Sequence, residues 1–301
     1  MSELKFIRRG KVKEVYDAGP DELEFYFTDN VSVFDKVIPS QIPFKGETLN
    51  RTSAHWFEAA KKIGMHTHYL GMPAPNRMRV KKVQILQKPT KKDNNFLVPL
   101  EFICRYYVAG SMHDRVKEGS VKPEDLGFKR GYEVKYGDEM PEPYFEVTTK
   151  LEKVDRNLNM KEALKISGIS MDEFNEIKEA FMKIDEKINK DVKKRGLIHV
   201  DGKKEFALDG ERVPMLIDTF GTADEDRWWD LKQHGEGKFV ELSKEFVRQH
   251  YRETGYHGAL TEARKLGKQE PDIPALPPAM VKKVSELYID LFGKITGEKF
   301  R

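Results

Sequence analysis

The stretch LIHVDGKKEFAL, Leu197 to Leu208, decides how this chain is read. It reads as a strand, and the turn Asp209-Gly210 joins it to the apolar run VPMLI, which ends at Asp218. A strand repeats every two residues, so Asp201, Lys203 and Glu205 share one face. An acid–base–acid face fits a cross-strand charge ladder, and it fits a site holding a metal and a phosphate together. A carboxylate leaving a buried strand end, as Asp218 does, suits a magnesium–nucleotide ligand. The following loop, LIDTFGTADEDRWWD from Leu216 to Asp230, carries Asp218, Asp224, Glu225, Asp226 and Asp230. A solvated acidic loop accounts for Glu225 but poorly for the adjacent Trp228 and Trp229. Arg227 either pairs with these acids or clamps a phosphate bidentately.

Upstream, RRGKVKEVYD alternates, which predicts Arg9, Lys11 and Lys13 on one face of an extended segment. That face is either solvated or the wall of a polyphosphate site, with Gly10 letting the backbone approach. Neither a P-loop nor a G-x-G-x-x-G is present. A helix is expected from Thr48 to Ile63, closed by Gly64. The polar run KPTKKDNN, 88–95, reads as a hinge. In FICRYYV, Cys104 reads as a buried thiol, and Arg105 in an apolar strand requires an anionic partner. Gly110-Ser111 could open an anion-binding turn. His66 and His68 are expected on one strand face, with a surface or core role for each.

Downstream, Ser170 and Glu173 have capping-box spacing, and Phe174, Ile177, Phe181, Ile184, Ile188 and Val192 follow at helical steps up to Gly196. A helix is expected near Ser243. The Pro-rich EPDIPALPPAM is an extended connector to a last amphipathic helix.

A length of 301 residues suggests about two domains. Net charge is +3, which gives no sign of a nucleic-acid partner. One cysteine excludes an internal disulfide and a cysteine zinc site. No signal-peptide pattern or run of ~20 apolar residues occurs, so a soluble cytoplasmic protein without a membrane partner is expected.

Taken in order, RGKVKEVYD, TDNVSVFD, IPFKGETLN with SAHWF, LEFICRYYVAGS, PYFEVTTK, VDGKKEFAL, DTFGTADEDRWWD, SKEFVRQ and PALPPAMVKKVSELYIDLFGKITG resemble the phosphoribosylaminoimidazole-succinocarboxamide synthase (SAICAR synthetase) family. The resemblance covers nearly the whole chain. It implies an α+β, two-lobed fold. A β-rich N-terminal lobe, 1–95, covers ATP. A larger α/β lobe, 96–301, binds ribonucleotide and metal and ends in the Pro-rich connector and C-terminal helix. It further implies an ATP- and Mg2+-dependent ligase of purine biosynthesis, joining L-aspartate to carboxyaminoimidazole ribonucleotide through an acyl phosphate.

Position by position, the resemblance implies ATP contacts from Gly10, Lys11, Lys13, Lys88 and Glu101, and metal contacts from Asp218 and Glu205. Substrate contacts would come from Arg105, Ser111, Asp155, Asp201 and Arg227. Lys203, Lys150 and Asp218 would stand at the reacting groups. The chain departs from the family at Thr219, Ala223 and Asp226, and at Val154 and Arg156. A paralogue using another amine, a kinase-like phosphotransferase and a non-enzymatic nucleotide sensor are the competing readings, and a homo-oligomer is plausible. The absence of H-R-D-x-x-x-x-N tells against the phosphotransferase.

Overall fold

The structure is a computed structural model and describes residues 4–152 and 154–301. The N-terminal lobe is an antiparallel sheet of β1 (Lys5–Arg9), β2 (Lys13–Gly19), β3 (Glu22–Phe27), β6 (Tyr69–Ala74) and β7 (Arg77–Lys81), in the order β1-β2-β3-β7-β6. Between β3 and β6 lie the hairpin β4 (Asn30–Val33) with β5 (Lys36–Gln41), and helix α1 (Lys45–Lys62). Gly64, at φ 78°, turns the chain after α1 in the left-handed region.

The second sheet contains β8 (Phe96–Leu97), β9 (Leu100–Tyr107), β10 (Glu139–Thr149), β11 (Asn157–Leu158), β12 (Leu197–Leu208), β13 (Pro214–Ile217) and β14 (Asp226–Asp230). The helices of this lobe are α2 (Ser111–Lys117), α3 (Met160–Ser167), α4 (Met171–Lys193), α5 (Leu231–Gly235), α6 (Glu245–Glu253), α7 (Tyr256–Lys265) and α8 (Pro278–Thr296). We propose the lobe boundary at 95/96, because the first sheet ends at Lys81 and the second begins at Phe96.

Strand β12 is the spine. On one side it pairs first with β14 and then with β13; on the other it pairs with β9 and β8. It is therefore flanked by strands along most of its length. One face turns to α4, whose apolar stripe is buried as its spacing requires. The capping box forms as read: Ser170 accepts from the Glu173 N–H, and Glu173 accepts from the Ser170 N–H.

Lys204 lies on the α4 side. Its ammonium is fully buried against Asp185 and stands 4.2 Å over Phe181, and Tyr106 donates to the other Asp185 oxygen at 2.7 Å. Cys104 is buried as expected, and burial pushes its thiol up to about 12.

One apolar core runs through both lobes. Trp56 and Phe57 of α1 reach the loop after β13. Trp56 Nε1 donates to the Gly221 carbonyl at 3.1 Å, and Phe57 meets Phe220 edge-on at 5.0 Å. A Cβ at Gly221 would lie 2.3 Å from the Trp56 ring, so glycine is required there. Helix α8 closes the other side of α1: Ser285 donates to the Pro43 carbonyl, and Arg51 lies 4.3 Å from the Phe292 ring.

Some local expectations change. Residues 10–12 form a turn rather than a strand, because the Gly10 N–H bonds to the Lys13 carbonyl. Arg9, Lys11 and Lys13 consequently diverge to Glu14, Asp35 and Asp218. His66 and His68 precede β6 and share no face. His66 is exposed beside Asp209, whereas His68 is buried between Phe25 and Phe57, and burial lowers it to about 3. The 88–95 segment is pinned rather than free: Asn94 donates to Gly210, the Asn95 N–H to Asp209, and Arg212 to Asp93.

Replacing Lys204 by Met leaves Asp185 buried without its counter-charge, and should cost about 3–5 kcal/mol in denaturant unfolding. Ser170→Ala, which removes one cap acceptor, should cost only about 1 kcal/mol in the same measurement.

Candidate active site

Two neighbouring cavities occupy the cleft side of β12. The first, about 470 Å³, is bounded by the 9–13 turn, the cleft face of β12 and the loop beginning at Asp218. Gly10, Lys11, Lys13, Glu101, Lys150, Lys203, Glu205, Asp218, Glu225 and Lys244 line it. The second, about 420 Å³, is lined by Arg105, Ser111, Asp201, Arg227, Arg248 and Arg252, with Phe34 and His257 at its side. Lys203 and Glu225 border both. The period of two in β12 produces this division: Glu205 faces the first cavity, Asp201 the second, and Lys203 between them faces both.

Opposite charges interlock in the first cavity. Lys203 Nζ lies 2.7 Å from Glu205 Oε1, 2.9 Å from Glu101 Oε1 and 3.3 Å from Glu225 Oε2. Lys150, just past the end of β10, pairs with Glu205, and Lys13 pairs with Asp218. Burial works against the charged forms of Lys150, Lys203, Glu205 and Asp218. For Asp218, burial raises the carboxyl pKa, but Lys13 and Lys150 overrule it and hold the group well below the usual range. Glu205 is likewise opposed by burial and lowered by Lys150 and Lys203. Burial works against the Lys203 ammonium, yet Glu205, Glu225 and Glu101 raise it well above the ordinary lysine value. At Glu101 burial prevails over Lys203, and the carboxyl is raised. Asp218 also adopts φ 61°, a left-handed conformation uncommon outside glycine and better tolerated by Asp and Asn.

Arginines dominate the second cavity. Arg105 donates to Glu146 at 2.8 Å and to Asp201 at 3.2 Å, with Ser111 Oγ at 3.5 Å. Arg227 pairs with Asp201 and, at 3.3 Å, with Glu245. A Cβ on Gly110 would come within 2.4 Å of Arg227 Nη2, so this glycine, at φ 50°, makes room for the guanidinium. Glu245 is opposed by burial but lowered to about 2 by Arg227, Arg248 and Arg252.

The segment from Leu216 to Asp230, which runs from the end of β13 through a loop into β14, is an inner wall and not a solvated loop. Trp228 and Trp229 are fully buried, and Asp226 nearly so. Asp224 accepts from Lys45 at 2.8 Å and from Tyr288 at 2.6 Å, with Lys244 at 3.7 Å.

Of the sequence-derived site residues, Gly10, Lys11, Lys13, Glu101, Lys150, Lys203, Glu205 and Asp218 come together in the first cavity. Arg105, Ser111, Asp201 and Arg227 come together in the second. Lys88 lines neither: it is exposed on the segment fixed to the 209–212 turn. Asp155 also lies outside both linings and is exposed, though near enough to the first cavity that Lys203 and Lys150 act on its carboxyl. Lys45, Lys244, Glu245, Arg248 and Arg252 were missed by residue-level reading. The three- and four-residue steps from Glu245 to Arg248 to Arg252 put all three on one side of a helix, a usable signal.

Known proteins resemble this chain in sequence and in fold. The family model described as SAICAR synthetase matches residues 6–263. A phosphoribosylaminoimidazole-succinocarboxamide synthase of Thermoplasma acidophilum is 52% identical over 99% of this chain and 100% of its own length. A relative from Archaeoglobus fulgidus, named a putative synthase of the same kind, is 38% identical over 92% of this chain and 88% of its own. Among solved structures, a SAICAR-synthase from Saccharomyces cerevisiae complexed with SAICAR superimposes with TM-score 0.75 at 26% identity, covering 99% of this chain and 96% of that one. A SAICAR synthetase in complex with ADP gives TM-score 0.71 at 26% identity, over 98% and 99% of the two chains. With its two-lobed α+β fold and paired cavities, the chain belongs to the SAICAR synthetase family of enzymes.

Proposed function

We propose that this enzyme condenses L-aspartate with the carboxylate of 5-amino-1-(5-phosphoribosyl)imidazole-4-carboxylate, giving SAICAR, ADP and phosphate. The observation that carries the reading is Lys203, a single charged lysine bordering both a lysine-rich and an arginine-rich cavity. The relatives' complexes with ADP and with SAICAR are consistent with one cavity for each ligand.

On this reading the ATP phosphates lie over the 9–13 turn, where Lys11 and Lys13 supply positive charge. The ribonucleotide phosphate meets Arg105, Arg227, Arg248 and Arg252, with Ser111 as a further donor. These anchors bring the substrate carboxylate toward Lys203. One carboxylate oxygen attacks the γ-phosphorus and ADP leaves, giving an acyl phosphate. The aspartate amine then attacks the acyl carbon, phosphate departs, and the nitrogen loses its proton. No protein nucleophile is required. The lysines stabilise the charge on the moving phosphoryl group, and the cleft aligns the reactants.

Among the described residues, no group of three or more His, Cys, Asp or Glu forms a self-sufficient metal cage. Two carboxylates, Asp218 and Glu205, suit Mg2+, which takes one or two protein carboxylates and completes its shell with phosphate and water. Mg2+ would supply positive charge to the phosphate oxygens. Lys13 pairs with Asp218 and Lys150 with Glu205, so both carboxylates are held charged beside the first cavity.

A coupled assay should release ADP only when the ribonucleotide, aspartate and Mg2+ are all present. Faster turnover with another amino acid, or a stable phosphorylated product formed without aspartate, would overturn the assignment. Asp218→Asn keeps a residue that tolerates the left-handed backbone while removing the charge, and should lower kcat by about a hundredfold or more with the fold retained.

Glu245 predicts an acid limb of stability. Its folded value, about 2, lies below the ordinary glutamate range. Its stabilising contribution is therefore complete above about pH 4.3, the unfolded value, and is lost as pH falls toward the folded one. Glu245→Gln should destabilise at neutral pH and flatten the dependence between those limits, as read by denaturant unfolding across pH.

A further inference from the structure

One buried pair beside the cleft touches neither cavity. His199 Nε2 lies 2.7 Å from Asp226 Oδ2, and both side chains are completely shielded from solvent. The other carboxylate oxygen, Oδ1, accepts the Gly221 N–H at 2.9 Å. On its far side, His199 Nδ1 lies 2.8 Å from Asn189 Oδ1 on α4. Trp228 stacks on the imidazole at 4.7 Å. Gly202 sits directly under the contact: a Cβ there would lie 2.4 Å from Asp226 Oδ2 and 2.7 Å from His199 Nε2.

The connected residues bracket the working loop. Asp218 begins it three positions before Gly221, and Arg227 follows Asp226 directly. Asp218 faces the first cavity and Arg227 the second. Gly221 is held from the opposite direction by Trp56, which donates to its carbonyl. A backbone joined on both sides to rigid elements can hold its flanking charges at fixed separation.

We propose that His199 is a positioning residue. Through Asp226 it ties the loop to α4 and β12, and so sets where the Asp218 carboxylate and the Arg227 guanidinium stand relative to each other. His199 touches no substrate; it acts through Asp226. The Asp226 carboxylate faces a histidine that can bond it. The inference rests on the ligase reading above.

The test compares full-length wild type, His199→Leu, Asp226→Asn and the double variant His199→Leu/Asp226→Ser, each at a temperature where circular dichroism shows it folded. His199→Leu should lower kcat/KM for the ribonucleotide by about tenfold to a hundredfold, with weaker Mg·ADP binding by calorimetry. Asp226→Asn keeps an oxygen for the Gly221 N–H and offers its amide to His199, so it should stay within about threefold of wild type. The double variant removes the stranded carboxylate as well. It should fold if His199→Leu does not, and should keep the kinetic defect.

Wild-type kcat, KM and Mg·ADP affinity in a folded His199→Leu or double variant, with only a lower melting temperature, would reduce the pair to packing and overturn the proposal. A loss in Asp226→Asn as large as that in His199→Leu would assign the effect to charge, and would overturn it too. An inactive wild type would refute the ligase reading instead, and Mg·ADP affinity would still report on the pair.

Discussion

Asp224 is the constraint on which the cleft depends. Its carboxylate is buried, and burial would neutralise it; Lys244 and Lys45 keep it charged, far below the usual carboxylate range. Each partner comes from a different part of the chain: Lys45 opens α1, Lys244 precedes α6, and Tyr288 lies on α8. One side chain thereby joins both lobes and the terminal helix beneath the loop that presents Asp218 and Arg227. Buried charges of this kind are weak sources of net stability, but breaking one partner away is costly. The geometry is held by the cost of its alternatives.

The cleft carries the same logic in a form that ligands can change. Lys203, Lys150 and Lys13 are each paired with carboxylates facing the first cavity. On the proposed reading, a phosphate chain and a divalent cation would bring the same two charge types as these internal partners. The arginine cavity is similarly self-neutralised by Asp201, Glu146 and Glu245. Side chains already ordered by these pairs lose little further freedom when the partner changes.

Much of this was legible in the sequence wherever a pattern had one physical meaning. The capping box at Ser170 and the apolar steps behind it specify α4, and α4 forms. The two-residue period of β12 placed Asp201, Lys203 and Glu205 on one face, and the structure turns that face to the two cavities. The same period puts Lys204 on the other face, but nothing local distinguishes a lysine buried against Asp185 from one in water. The alternation at Arg9, Lys11 and Lys13 misled because one hydrogen bond, from Gly10 to Lys13, makes a turn of what reads as a strand. Asp224 and Glu225 are neighbours with the same charge; only the distant Lys45 and Tyr288 decide that one is pinned in the wall of the first cavity while the other borders both cavities. Motif order supplied the family where such single residues could not.

The packing of α8 on α1 has a consequence for how the protein comes into being. Helix α1 belongs to the first lobe, yet part of its apolar surface is covered by a helix from the far end of the chain. During synthesis that surface waits bare while more than two hundred intervening residues are made. Domains generally fold as units from the N-terminus during translation, and exposed apolar surface invites aggregation in the interval. The first lobe therefore cannot complete the packing of α1 until α8 has been made.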